Sequence, residues 1–179
     1  MDRRNFVRLL GLAGAACGVL GHSPYRQWQV YRQSRLIIVT SAADSAAYPL
    51  AERVAALLLQ HWPESLALAS RASDTREVVK LLASQQLDVA ILSAAEARDA
   101  AEGRGRFAAE GALSLRALSV LGAYLLVCRE DFPEARAEAV ARVLTEHWRP
   151  VAIAEGAPRP PIPFHAGVPA AAAERALGR

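Results

Sequence analysis

The chain of 179 residues is 53% hydrophobic and 22% charged, a composition typical of a globular domain and outside the range of disordered proteins. Its net charge of +3 includes +2 from the first 21 residues, where Arg3, Arg4 and Arg8 outnumber Asp2, which leaves +1 for the rest. No basic stripe with interleaved aromatic residues is present, and this argues against nucleic-acid binding.

The N-terminus predicts export from the cytoplasm. Arg3 and Arg4 precede an apolar run from Leu9 to Leu20, which is the order of the charged and hydrophobic segments in a signal peptide. The paired arginines resemble the twin-arginine export motif, and an ordinary membrane anchor is the alternative. We therefore expect a periplasmic protein, anchored in the membrane if the signal is not cleaved. The expected organisation is a twin-arginine-like signal or anchor at residues 1–21, a linker at 22–34 and a single α/β domain at 35–179.

The first half of this domain alternates between short apolar runs and helical patterns. Apolar runs of four to six residues predict buried strands, and apolar residues three or four apart predict helices with one buried face. The predicted strands are Leu36–Val39, Leu66–Ala69 and Asp88–Ser93, and the predicted helices are Tyr48–His61, one that opens at Ser73, and Ala94–Glu102. This alternation is typical of a parallel sheet with helices on its faces.

The second half continues with strands and a long helix. A loop over residues 103–114 precedes Leu115–Val127, which contains one long strand or two short strands broken near Gly122. Pro133 begins a helix that runs to Trp148. A proline-rich segment over residues 156–169 leads to a final short helix, Ala170–Leu177.

A candidate ligand site follows from the loop Thr40–Pro49, which connects the first strand to the first helix. Open α/β sheets bind small ligands at the carboxyl ends of their strands, where a helix N-terminus attracts anions. Hydroxyl groups recur at these strand ends, and the candidate ligand-binding residues are Thr40, Ser41, Ser45, Tyr48, Ser73, Thr75 and Ser93. They predict either a ligand site or helix caps and turns, because serine and threonine favour both.

Catalytic and metal sites are not predicted. The four histidines lack the spacing of metal ligands, and no Gly-x-Ser-x-Gly turn or phosphate-binding loop is present. Cys128 lies in an apolar run and is expected to be a buried small hydrophobic side chain. We therefore expect a protein without catalytic activity, metal or cofactor.

Three segments follow the pattern of one known family. The loop Thr40–Pro49 has the length, the leading threonine and the closing Tyr-Pro of the pattern Thr-Gly-Gly-x-x-Gly-x-Tyr-Tyr-Pro. Leu81–Leu92 is similar to Leu-Leu-Ala-Ser-Gly-x-x-Asp-Leu-Ala-Ile-Val, and Pro161–Gly167 is similar to Pro-Ile-Pro-Leu-His-Pro-Gly. In this order the segments resemble the TAXI-type solute receptors that serve TRAP transporters, over most of residues 35–179.

The resemblance implies a three-layer, parallel-sheet α/β lobe of periplasmic-binding-protein type. It also implies binding of a small carboxylate solute and an interaction with TRAP-type membrane subunits. Two departures accompany it. The second lobe is missing from the sequence, and every glycine of the loop pattern is replaced, with Asp44 adding a negative charge.

These departures predict an exported TAXI-like solute-binding protein, a candidate transporter receptor, with reduced or altered ligand binding. Added Cβ atoms keep an anion away from the backbone N–H groups, and Asp44 repels a carboxylate. The alternative is a non-catalytic scaffold or accessory subunit that binds another protein of the cell envelope.

Overall fold

The computed structural model of the protein describes residues 34–148 and 160–178. The predicted signal at residues 1–21, nearly all of the predicted linker and the first part of the proline-rich segment lie outside the described residues. Within the described ranges, no helix combines the length and the apolar character needed to cross a membrane.

Five strands and five helices form the described part of the domain. The strands are β1 (Ile37–Ser41), β2 (Leu68–Ala72), β3 (Val89–Ser93), β4 (Leu115–Leu121) and β5 (Tyr124–Arg129). The helices are α1 (Ala47–His61), α2 (Thr75–Ala83), α3 (Ala94–Glu102), α4 (Glu134–His147) and α5 (Ala170–Ala176), with 3-10 turns at Pro63–Ser65 and Gly105–Phe107. The predicted helix ends lie within two residues of the observed ones, and the α/β class is confirmed.

The sheet is mixed: the parallel arrangement predicted from the first half of the chain is confirmed for β1, β2 and β3, and the prediction of a parallel sheet is wrong for β4 and β5. Its strand order is β2-β1-β3-β5-β4, in which β1 is parallel to β2 and β3, whereas β5 is antiparallel to β3 and β4. Gly122 and Ala123 alone separate β4 from β5, and so short a connection can join only antiparallel strands. Gly122 has a φ of 71°, which glycine adopts without strain. The predicted break near Gly122 is confirmed, and it produces a hairpin.

Helices cover both faces of the sheet. On one face, Ile38 of β1 packs in a cluster with Val54 of α1 and Val140 of α4. On the other face, Val39 of β1 packs in a cluster with Leu82 of α2. Successive side chains of a strand point to opposite faces, so β1 contributes to both clusters. The described residues therefore form three layers, with the sheet in the middle.

The strand β2 begins two residues later than predicted. Leu66 has a φ of 44° and donates its N–H to the Pro63 carbonyl (3.1 Å), which closes the 3-10 turn. A residue in the left-handed conformation cannot continue a strand. Leu68 then donates its N–H to the Leu36 carbonyl (3.0 Å), and β2 starts there beside β1.

The segment around His165 packs on the outer edge of β4. Ala117 donates its N–H to the Pro163 carbonyl (2.8 Å), and His165 donates its N–H to the Ala117 carbonyl (2.9 Å). The buried His165 ring accepts the Gly167 N–H at Nδ1 (3.0 Å), and its Nε2 lies 3.2 Å from the Glu130 carbonyl oxygen. Because Nδ1 accepts, Nε2 carries the proton and donates. The ring therefore links this segment by a hydrogen bond to Glu130, the residue that follows β5.

Candidate functional site

The predicted site residues lie at one edge of the sheet, where the parallel strands β1, β2 and β3 end. We call it the carboxyl edge. In the sheet register, Thr40 lies opposite Arg71, and Ser93 at the end of β3 lies opposite Tyr124, the first residue of β5. The sheet therefore brings together the three strand ends that the sequence singles out, and it adds the start of β5.

The N-terminus of α1 is occupied by the carboxylate of Asp44. Its Oδ1 accepts hydrogen bonds from the N–H groups of Ala46 (2.9 Å) and Ala47 (3.3 Å), and its Oδ2 accepts the hydroxyl of Tyr124 (2.8 Å). Burial, together with the hydrogen bond to Asp44, raises the pKa of Tyr124 to about 12, so this hydroxyl remains a donor at neutral pH. The chain's own carboxylate thus sits where a helix N-terminus attracts an anion.

The other hydroxyls of the Thr40–Pro49 loop differ in exposure and in partners. Thr40 is fully buried, and its hydroxyl donates to the Ser70 carbonyl (3.4 Å). Ser41 is also buried, and its Oγ accepts the Ala43 N–H (3.2 Å), which stabilises the turn after β1. Ser45 is exposed.

Tyr48 contributes an aromatic ring to the same edge. The guanidinium carbon of Arg71 lies 3.6 Å from the centroid of this half-buried ring, a cation–π contact between β2 and α1. Arg71 is exposed. This contact places a positive charge beside the Thr40–Pro49 loop.

The carboxylate of Glu96 accepts hydrogen bonds from two hydroxyl groups near the end of β3. Ser93 donates its hydroxyl (2.8 Å) and its N–H (3.2 Å) to Glu96 Oε2, and its Oγ accepts the Glu96 N–H (3.3 Å). Thr75 at the start of α2 donates its hydroxyl to Glu96 Oε1 (3.0 Å), and Arg106 Nη2 donates to the same oxygen (3.1 Å). Ser93 and Thr75 are therefore brought together, but through a shared carboxylate of the chain.

Ser73 belongs to the cap of α2. Its N–H and its hydroxyl donate to Glu77 Oε2 (2.7 and 2.5 Å), and these bonds lower the pKa of Glu77. Asp74 Oδ1 accepts the Glu77 N–H (2.8 Å), which makes Asp74 the N-cap residue of α2. The polar groups before α2 are thus satisfied locally.

These contacts favour the interpretation of the hydroxyls as caps and turn residues. Thr40, Ser41, Ser73, Thr75 and Ser93 all hydrogen-bond within the chain. Their participation in ligand binding stays a prediction. A charged ligand at the carboxyl edge would compete with these internal bonds or meet Arg71.

The sequence did not single out four side chains of the carboxyl edge, namely Arg71, Glu96, Arg106 and Tyr124. Glu96 follows Ser93 at the spacing of a capping box, so a local signal could have identified it. Arg106 and Tyr124 carry no such signal, because they reach their carboxylate partners through the fold. The Tyr124–Asp44 bond joins residues 80 positions apart.

The described residues also bear on metal binding and on the reactivity of the Cys128 thiol. Within residues 34–148 and 160–178, no group of three or more His, Cys, Asp and Glu side chains could hold a metal ion. Cys128 is fully buried, and burial raises the pKa of its thiol to about 12. A thiol that stays protonated at neutral pH is a poor nucleophile.

A comparison with models of known protein families finds no match for this chain, and a comparison with curated proteins also finds none. Assignment to the TAXI-type receptors therefore rests on the sequence resemblance and stays a prediction.

Proposed function

We propose that the protein is an exported, non-enzymatic relative of the TAXI-type solute receptors, reduced to one lobe of periplasmic-binding-protein type. Its own side chains occupy the polar groups of the carboxyl edge, which we therefore call closed. The protein acts as an accessory subunit of a cell-envelope complex. The observation that carries this proposal is the Asp44 carboxylate, which accepts the N–H of Ala46, just before α1, the N–H of Ala47, its first residue, and the hydroxyl of Tyr124.

The electrostatics of the carboxyl edge disfavour an acidic solute. A second carboxylate about 4 Å from Asp44 meets a repulsion of about 1 kcal/mol in water and about 4 kcal/mol at the effective dielectric near a protein surface. These energies raise Kd by roughly 5-fold to 1,000-fold. Displacing Asp44 instead would cost the ligand the energy of breaking all three hydrogen bonds. Either route opposes binding of a small carboxylate.

The connection after β5 also supports a one-lobed protein. Four residues separate the end of β5 at Arg129 from the start of α4 at Glu134. No second lobe can be inserted there, and ligand enclosure by hinge closure requires two lobes. A solute at the carboxyl edge would therefore stay exposed to water on one side.

Two experiments test the proposal. Isothermal titration calorimetry of the full chain with glutamate and other small carboxylates should give no binding heat, and low-micromolar affinity would overturn the closed edge. Affinity purification from envelope fractions, with the native N-terminus retained, should recover a stable complex without transport proteins. Recovery of a TRAP-type membrane subunit would instead support a transporter receptor.

Arg71 favours a second candidate function, that of a receptor with altered solute specificity. Its guanidinium carbon lies 3.6 Å from the centroid of the Tyr48 ring beside the predicted ligand loop, and arginine recognises planar anions through paired N–H groups. If this function is correct, a small carboxylate will bind the full chain, and Arg71→Ala will abolish binding while lowering the free energy of unfolding by no more than about 1 kcal/mol, the value of an exposed cation–π contact. The control Arg98→Ala, an exposed arginine of α3, should leave binding unchanged.

A further inference from the structure

Two large hydrophobic side chains stand exposed in the described part of the chain. Leu59 on the last turn of α1 is 44% exposed, and Leu66 after the following 3-10 turn is 43% exposed. Trp62 lies between them in sequence and is partly buried. We call these three residues the α1–β2 corner.

Leu66 has an unusual backbone for its residue type. Its φ of 44° lies in the left-handed region, which is sterically disfavoured for a residue with a Cβ atom and which asparagine or glycine occupies more readily. Its side chain belongs to neither buried cluster of the domain. The fold therefore gains nothing evident from a leucine here, and such an outlier directs attention to function.

The α1–β2 corner lies where the chain enters the domain. Ser65 accepts the N–H of Leu36 on its carbonyl (2.9 Å), so the corner adjoins the residue that precedes β1. The described residues begin at Ser34, and residues 1–33 precede that point in the sequence. This edge of the sheet is opposite to the carboxyl edge, because β1 runs from Ile37 to Ser41.

Histidine and glutamate side chains lie near the α1–β2 corner. His61, the last residue of α1, stacks on His147, the last residue of α4, with ring centroids 3.5 Å apart. Glu146 lies 3.5 Å from His147, and Glu64 is exposed in the 3-10 turn. The features that distinguish this end of the domain are apolar, namely the exposed Leu59 and Leu66.

We infer that the α1–β2 corner rests on a lipid bilayer surface, with Leu59 and Leu66 inserted at the interface. This inference rests on the proposed export and on retention of the apolar run Leu9–Leu20 as a membrane anchor. Residues 22–34 span at most about 45 Å when extended, so the anchor keeps the corner within reach of the bilayer. Leucine and tryptophan are typical of surfaces that lie in the membrane interface. The carboxyl edge then points away from the lipid.

A fluorescent probe at each end of the domain tests this orientation. The full chain with Cys17→Ser carries either Leu66→Cys at the corner or Ser45→Cys at the carboxyl edge, labelled with an environment-sensitive fluorophore. Cys128 is buried and stays unlabelled. With vesicles of phosphatidylethanolamine and phosphatidylglycerol, the probe at position 66 should shift to the blue. Brominated lipids should quench it several-fold more than the matched probe at position 45.

A second variant separates membrane contact from folding. Asparagine suits the left-handed conformation, so Leu66→Asn should keep the urea unfolding midpoint or raise it. With the probe moved to Leu59→Cys, the same substitution should reduce quenching by brominated lipids several-fold. Unchanged quenching in this variant would overturn the role of Leu66.

Three other outcomes would also overturn the inference. Equal quenching at positions 66 and 45 would show that the α1–β2 corner does not face the bilayer in preference to the carboxyl edge. A blue shift without vesicles that grows with protein concentration would assign the corner to a second copy of the chain. Failure of the full chain to sediment with vesicles would show that the chain is not anchored in the membrane. None of these results affects the closed carboxyl edge, which calorimetry tests separately.

Discussion

Replacing Asp44 by alanine tests the contact that closes the carboxyl edge. The substitution removes the acceptor of two N–H groups at the start of α1, and it leaves the Tyr124 hydroxyl without its carboxylate partner. Loss of a helix cap costs about 1 kcal/mol, and loss of a hydrogen bond to a charged group costs about 1.5–3 kcal/mol. We therefore expect the free energy of unfolding to fall by about 2–4 kcal/mol.

Urea unfolding of the full chain, followed by circular dichroism, measures this loss. Asp44→Asn should cost less than Asp44→Ala, because the amide oxygen can still accept from the helix. Tyr124→Phe should cost about 1–2 kcal/mol, and the double variant should show a coupling energy of about 1–2 kcal/mol. Glu52→Ala, an exposed position of α1, is the matched control. If Asp44→Ala lowers the free energy of unfolding no more than Glu52→Ala does, Asp44 does not stabilise the start of α1.

Three further predictions concern the rest of the fold. The folded-state pKa values of Tyr124 and Cys128 are both raised to about 12 from 10.0 and 9.0, so the associated stability is complete below pH 9 and falls as the pH rises towards 12. A urea midpoint that stays constant from pH 9 to 12 would contradict this. Glu96→Ala removes the shared acceptor at the β3 end and should lower the free energy of unfolding by about 2–3 kcal/mol, whereas Glu96→Gln should lower it less; equal losses in urea unfolding would speak against the network. Gly167→Ala places a Cβ in steric conflict with the Glu134 carbonyl oxygen and should lower the free energy of unfolding by about 1–3 kcal/mol, and an unchanged thermal midpoint would rule out this packing.

Local chemistry explains which elements the sequence predicts well. Both predicted ends of the helix α3 are confirmed. Gly103 ends the helix with a φ of 62°, and Ser93 begins it with a capping box whose second member, Glu96, the prediction did not use. Both signals lie within three residues of the helix end that they define. By contrast, β2 is displaced because Leu66 adopts a left-handed backbone, which residue type does not predict.

Features that depend on the whole fold were harder to predict. The parallel order of β1, β2 and β3 follows from their helical crossovers, but the hairpin direction of β4 and β5 depends on the two-residue turn at Gly122. At the candidate site, the sequence identified the strand-end hydroxyls and the charge of Asp44. It could not identify the partner Tyr124, because only the strand order β2-β1-β3-β5-β4 brings β5 beside β3 at that edge.

Asp44 occupies the anion position at the start of α1. Calorimetric titration of acetate into the full chain and into Asp44→Gly tests it most directly, because the substitution vacates the position while the helix N-terminus and Tyr124 remain. The prediction is no binding heat for the unaltered chain and weak, saturable binding for the variant. Acetate binding to the unaltered chain that is lost in Asp44→Gly would contradict the claim.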